Sequence, residues 1–230
     1  MTKPEVSLLA ERQMRNWELA RRQRVARSAP ETAPQGEAFV CISRAVGSGG
    51  SRVAQLLGER LGWATFDREI LQFMAGDDRL RAQLYESMDE RDESWLESVV
   101  RCLLEGDFHR DDYCHRLVDT VLRLARKGPA VFLGRATDLF LPQAAGLRVR
   151  IIAPREVCLR NFAARRQLDL EEARRTIERI ERERAEFIRH HFQREAEDPT
   201  RYDLIINRQR FSEAQAVELI VAGLRVRGML

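Results

Sequence analysis

Along residues 38 to 225, short apolar runs alternate with longer segments in which apolar side chains recur every three or four positions. Short runs bounded by turn residues read as buried strands, and the longer segments as helices crossing between them. The predicted strands are Ala38 to Ser43, Ala64 to Phe66, Ala130 to Leu133, Leu147 to Ala153 and Tyr202 to Ile206. Val53, Leu56, Leu57 and Leu61 share one helical face, and Gly62 stands where a left-handed helix stop belongs, so the spacing predicts a helix over Ser51 to Leu61. A second stripe, Leu117, Val118, Val121, Leu122 and Ala125, is ended by Gly128 and Pro129. Asp169 with Glu172, and Ser212 with Gln215, have capping-box spacing and open the last two long helices. Residues 77 to 112 break the alternation with helices only, carrying a stripe at Trp95, Leu96, Val99, Val100, Leu103 and Leu104. The pattern is an α/β core, a parallel sheet with crossover helices, interrupted by a helical insertion.

The 37 residues before this core read differently. Residues 5 to 27 are helical and basic, with Val6, Leu9, Met14, Trp17 and Val25 loosely periodic, and residues 28 to 37 (SAPETAPQGE) form a linker. The arm is expected to pack on the body or on a second copy, making a homodimer, in preference to a nucleic acid or membrane. A length of 230 residues fits one domain with an insertion or two small ones, and 44% hydrophobic with 33% charged residues excludes a disordered or low-complexity chain. No apolar stretch approaches the ~20 residues of a spanning helix and no secretory signal is present, so the expected location is the cytoplasm. Net charge is only +3 and there is no aromatic stacking surface, which argues against nucleic acid as partner. The basic residues are arginines apart from Lys3 and Lys127, so any lysine chemistry must use one of those two. Cys41, Cys102, Cys114 and Cys158 lack zinc-ligand spacing and read as reduced thiols.

Candidate chemistry gathers where the first strand ends. Ser43-Arg44-Ala45-Val46-Gly47-Ser48-Gly49-Gly50-Ser51-Arg52 is a strand end, a glycine-rich turn and a helix start. Such a turn aims backbone N–H groups and a helix N-terminus at one point, which suits a phosphate. Three readings are open. A dinucleotide fingerprint would run Gly47-x-Gly49-x-x-Arg52 with Asp67 as its ribose acid, but it lacks the third glycine and turns too late. A P-loop laid on Arg44 to Ser51 has the right length, Gly49 and Ser51 in register, but Arg44 for its first glycine and Gly50 for its lysine. The third is a glycine-rich turn with no ligand.

Ser43-Arg44-Ala45-Val46-Gly47-Ser48-Gly49-Gly50, followed in order by Trp63 to Asp67, Gly134-Arg135 and Asp203 to Asn207, resembles the cytidylate kinase-like family over about residues 38 to 225. The loop of that family reads S-R-x-x-G-S-G-G, without a lysine. The resemblance implies a three-layer P-loop NTPase sandwich with a five-stranded parallel sheet, an acceptor-binding insertion at 77 to 112 and an arginine lid near 160 to 192. It further implies transfer of the γ-phosphate of ATP, with Mg²⁺, to a nucleoside monophosphate such as CMP. The rival is a non-catalytic nucleotide-binding regulatory or scaffold protein that kept the fold.

Residue by residue, Arg44 would replace the missing lysine at the phosphates or brace the loop. Gly47, Ser48, Gly49, Gly50, Ser51 and Arg52 would hold the donor, with Ser51 as the magnesium ligand or a helix cap. Asp67, at the carboxyl edge of its strand, would begin the monophosphate site or cap the next helix. Arg135 would take the acceptor's phosphate, and Asp138 would orient Arg135 or contact the base. Most charges from Asp169 to Phe192 are i,i+4 partners, but Arg184 shares a stripe with Ile177, Ile180, Phe187 or Ile188, and His191. Burying a guanidinium there requires an anion to meet it. Arg182 and Arg184 match the lid arginines of the family, with Arg179 third. His109, Asp111, Asp112, Cys114 and His115 have no metal-ligand spacing and read as polar residues before a helix.

Overall fold

The computed structural model describes residues 3–25, 38–86, 88, 93, 96–97, 99 and 112–230. The linker at 28 to 37, Trp95, Val100, Leu103 and Leu104 of the predicted stripe, and His109 and Asp111 lie outside the described residues. After α1 (Lys3–Val25) the chain runs β1 (Phe39–Arg44), α2 (Gly50–Leu61), β2 (Ala64–Phe66), α3 (Arg68–Gly76), α4 (Asp78–Glu86) and α5 (Asp112–Lys127). It continues through β3 (Ala130–Leu133), the single turn α6 (Thr137–Phe140), β4 (Gly146–Ile152), α7 (Arg155–Arg166), α8 (Leu170–Phe192), a 3₁₀ turn (Pro199–Arg201), β5 (Leu204–Asn207) and α9 (Glu213–Val226). The strands are all parallel, in the order β2-β3-β1-β4-β5. The order reverses beside β1, the crevice where open α/β sheets bind ligands.

Strand alternation builds the layers. On one face Val40, Ile42, Val131, Leu133, Val149 and Ile151 pack against Val53 and Leu57 of α2 and Ile220 and Leu224 of α9. On the other, Phe39, Cys41, Phe66 and Phe132 meet α3 and α5 through Leu71, Met74, Leu117 and Leu122. Phe132 anchors that side, with Phe66 stacked at 5.8 Å and Phe39 edge-on at 6.2 Å. This second layer stops at β1. Beyond it β4 presents Arg148 and Arg150, and the α7–α8 hairpin packs on itself and on Val46 of the glycine turn through Phe162, Ala173 and Ile177. A polar cleft therefore remains between α3–α5 and α8, over the strand ends.

The predicted caps form: Ser212 and Gln215 make a full capping box, and Asp169 accepts from the Glu172 N–H at 2.8 Å. Gly62 ends α2 in the left-handed region, at φ 67°. The basic arm packs on its own chain. Ala10 and Met14 are buried, and Gln13 Oε1 accepts from the Thr65 N–H at 3.1 Å, which covers the edge of β2. Among the described residues no helix is long and apolar enough to cross a membrane.

Candidate functional site

The turn between β1 and α2 is wound so that its amides stay free. Gly47 (φ 82°) and Gly49 (φ 84°) are left-handed, and a side chain at Gly47 would collide with the Cys158 carbonyl of α7. The buried Ser48 closes the turn by donating to the Ala45 carbonyl from its N–H (3.2 Å) and its hydroxyl (2.8 Å). The N–H groups of Gly47, Gly49, Gly50 and Ser51 find no acceptor among the described residues. Four convergent donors at a helix N-terminus make an anion cradle. The cap position of α2 is Gly49, with no side-chain bond, so Ser51 does not cap the helix and its hydroxyl stays available. Arg52 points along the exposed helix surface to Gln55.

The register that gives Arg44 and Gly50 in place of glycine and lysine has a steric cause. A Cβ at position 50 would lie 2.6 Å from Arg44 Cβ and 3.2 Å from Ile151 Cβ. The two positions touch, so a side chain at one requires glycine at the other. The cation enters from the strand end instead of the helix. Its guanidinium crosses the strand tips to lie against Gly134, whose φ of 80° and lack of a side chain leave room for it.

A cavity of about 300 Å³ opens there, lined by Arg44, Arg68, Arg135, Arg150, Arg184 and Arg201. Two of these have carboxylate partners. Arg201 pairs with Asp138 at 2.5 Å, both side chains buried, and Arg150 lies 3.7 Å from Glu197 while donating to Ser43 Oγ at 2.7 Å. Among the described residues none of Arg44, Arg68, Arg135 and Arg184 has an ion-pair partner. Arg184 donates to the Arg44 carbonyl at 3.0 Å. Burial, then the positive charge of Arg184, pulls the Arg44 guanidinium down to about 9, only partly offset by Asp67. Burial, then Arg68 and Arg150, pulls Arg184 down to about 10. Arg135 is lowered by burial as well. Half-buried cations that repel one another in this way suit a polyanionic ligand.

Arg135 sits at φ 57°, in the turn that ends β3. Its guanidinium donates to Gln72 of α3 at 2.5 Å and lies 5.6 Å from the Tyr113 ring centre and 5.7 Å from that of Phe187, while its Nε is buried without an acceptor. Asp67 caps α3, with Oδ1 accepting from Glu69 and Ile70, so its capping role is present and its charge also faces Arg44. Asp138 does not orient Arg135. Its buried carboxylate holds Arg201, because the α6 turn aims it towards the segment entering β5. Arg182 and Arg179 are exposed on α8, away from this cavity, whereas Arg184 lines it.

Sequence reasoning missed Arg68, Gln72, Arg150, Arg201 and Arg208. The alternation Leu147-Arg148-Val149-Arg150 carried a signal, since two arginines on one face of an otherwise apolar strand need a polar environment. Arg148 uses its charge on the Asp138 and Leu141 carbonyls, which fixes α6. Arg208, beside Gly49 and 3.5 Å from Glu213, carried no signal. His191 is packed against Phe187, and no cluster of three potential metal ligands occurs among the described residues.

A solved structure described as an uncharacterized protein from Eubacterium ventriosum superposes with a TM-score of 0.64 at 17% identity, over 82% of this chain and 99% of that one. Shikimate kinase from Bacteroides thetaiotaomicron gives 0.46 at 13% identity, over 82% and 98%. A gluconokinase from Sinorhizobium meliloti gives 0.46 at 14%, over 83% and 93%. No curated protein matches the sequence. The expected five-stranded parallel sheet sandwiched between helices is the one observed. The model of the cytidylate kinase-like family matches residues 39–210, from the start of β1 to just beyond β5, and the chain belongs to that family.

Proposed function

We propose that this protein is a phosphotransferase that moves the γ-phosphoryl group of ATP to the phosphate of a nucleoside monophosphate, with CMP the first acceptor to test. The observation that carries the reading is a turn with free amides that follows directly on Arg44, next to a cavity at the strand ends lined by the half-buried Arg44, Arg135 and Arg184, which have no carboxylate partner among the described residues. Phosphoryl transfer asks a protein mainly for positioning and positive charge, and these residues supply both. The N–H groups of Gly47, Gly49, Gly50 and Ser51 hold the donor's phosphates, with Ser48 keeping the turn closed. Arg44 and Arg184 neutralise charge on the transferring group, and Arg135, steadied by Gln72, takes the acceptor's phosphate. Asp67 balances Arg44 and keeps α3 in place, while Asp138 holds Arg201 in the cavity wall.

Magnesium fits this donor set only as an ion that arrives with the nucleotide, because the described residues offer the Ser51 hydroxyl and no acidic cluster. Its chemistry would be charge neutralisation between the donor's phosphates. Gly50, at the position of the missing lysine, favours the second reading, a nucleotide binder without turnover. A coupled ADP-release assay with MgATP and a panel of nucleoside monophosphates separates the two. Turnover with one monophosphate, lost in Arg135→Ala, is expected; binding of ATP and CMP by calorimetry with no turnover would favour the second reading.

A further inference from the structure

The last helix, α9, carries apolar side chains on two opposite faces. Ala216, Val217, Ile220, Val221 and Leu224 are buried in the layer that α9 shares with the sheet and α2. Leu219, Ala222 and Val226 form a second stripe, three and then four positions apart, and all three are exposed, Leu219 by 40% and Val226 by 88%. Phe211, just before the helix, is 40% exposed as well. A groove of about 590 Å³ runs between α2 and α9 beside the stripe, walled by Leu56, Phe211, Val217 and Leu219, with Arg60 and Glu218 of the same walls paired at 3.2 Å. None of these residues lines the arginine cavity. Helices apolar all round are normally covered all round, and exposed apolar patches rimmed by charge mark interaction sites.

We infer that this face is a two-fold interface between copies of this chain, in which α9 packs antiparallel on the α9 of a second copy and crosses it at Ala222. The spacing of Leu219, Ala222 and Val226 is that of a seam on which a like helix seats, and the alanine at its centre lets the two helices approach closely. Charge decides the occupant and its direction. Glu218 and Arg225 are both exposed and lie seven positions, or two turns, apart on one flank of the stripe. Arg225 has no ion-pair partner among the described residues. A two-fold axis across α9 at Ala222 sets each flank against the same flank of the partner, reversed in direction. Glu218 then meets the partner's Arg225, and Arg225 meets the partner's Glu218. In a parallel pairing this flank would meet the opposite one, where Gly223 stands, and no charges would pair. The surface is thus complementary to itself. The N-terminal arm, where the sequence led us to expect a homodimer contact, buries Ala10 and Met14 on its own body instead.

Sedimentation velocity of the full chain over a wide concentration range tests this, with Ala222→Glu, Glu218→Arg, Arg225→Glu and an equimolar mixture of the last two. The wild type should move with rising concentration from the mass of one chain towards that of two. Ala222→Glu sets two carboxylates against each other at the axis, and each single charge change sets like charges opposite one another twice. All three variants should therefore dimerise about tenfold more weakly or worse, while keeping the circular dichroism of the wild type. The mixture should recover dimers, because a pair with one chain of each kind regains both contacts, and that recovery also shows that the two variants fold. A wild-type chain that sediments as a monomer throughout would overturn the inference and leave the face to a different protein. So would a dimer that survives Ala222→Glu, or a mixture no better associated than its components.

Discussion

Gly50 should reject even a methyl group, and the reason lies in one contact. At an unhindered first-turn position, replacing glycine by alanine stabilises a protein by about 0.4–1 kcal/mol, because the unfolded chain loses freedom. Here the new Cβ would meet Arg44 Cβ at 2.6 Å, with Arg44 Cγ and Ile151 Cβ both at 3.2 Å. Overpacking of that kind costs about 1–3 kcal/mol, so the sign reverses. At about 2–4 °C per kcal/mol for a chain of this size, Gly50→Ala should melt several degrees below wild type. Because the collision is with Cβ, Arg44→Ala should not relieve it and Arg44→Gly should. A thermal-melt cycle that introduces Gly50→Ala into the wild type, into Arg44→Ala and into Arg44→Gly would show coupling only in the last, of about 0.5–3 kcal/mol. Gly50→Ala melting at or above wild type, or equal rescue by Arg44→Ala, would refute the exchange. The same geometry predicts that Gly50→Lys alone abolishes ATP binding, while Arg44→Gly with Gly50→Lys restores part of it.

Arg184→Ala should lower kcat by about 10²–10³-fold, as loss of a transition-state donor does, with little change in KM by steady-state kinetics. Asp138→Asn strips the buried Arg201 of its counter-charge, and breaking such a pair costs about 3–5 kcal/mol, to be read by urea unfolding. Arg44 and Arg184, lowered to about 9 and about 10, are charged in both folded and unfolded protein below pH 9. Their penalty is therefore constant from pH 6 to 8, and their contribution to stability rises only as pH climbs through those values towards the ordinary arginine range. Phosphate or sulfate should accordingly raise the melting temperature above that in chloride at equal ionic strength across pH 6 to 8, and Arg44→Gln with Arg184→Gln should remove the effect. Gln13→Ala, which uncovers the Thr65 N–H at the β2 edge, should cost about 1 kcal/mol in the same melts.

The layers were legible because alternation in β1, β3 and β4 and the stripes of α2 and α5 state which face each side chain takes. Strands β2 and β3 fall on the predicted residues, and β1 and β4 differ by a residue at their ends. Gly146 opens β4 because its bare Cα admits the Phe39 ring, a packing fact that no local pattern carries. The glycine turn and the unusual setting of Arg184 were readable from spacing and from a charge on an apolar stripe. The direction of Arg44 was not, since it depends on its close approach to both Gly50 and Gly134, which are 84 residues apart in sequence. Nor was the Asp138–Arg201 pair, which joins positions 63 residues apart through the fold alone. Arg182 and Arg184 look equivalent in the sequence. Two positions along a helix turn the side chain by about 200°, and only Arg184 faces the cleft.

Phosphorus NMR of the protein with MgATP and CMP, run beside Arg135→Ala, tests the central claim most directly because it follows the phosphoryl group itself. The account predicts that ADP and a second nucleoside diphosphate grow in equal amounts as ATP and the monophosphate decline, and that the variant stops both. ATP that persists unchanged with every monophosphate tried, or that yields only ADP and inorganic phosphate, would contradict it.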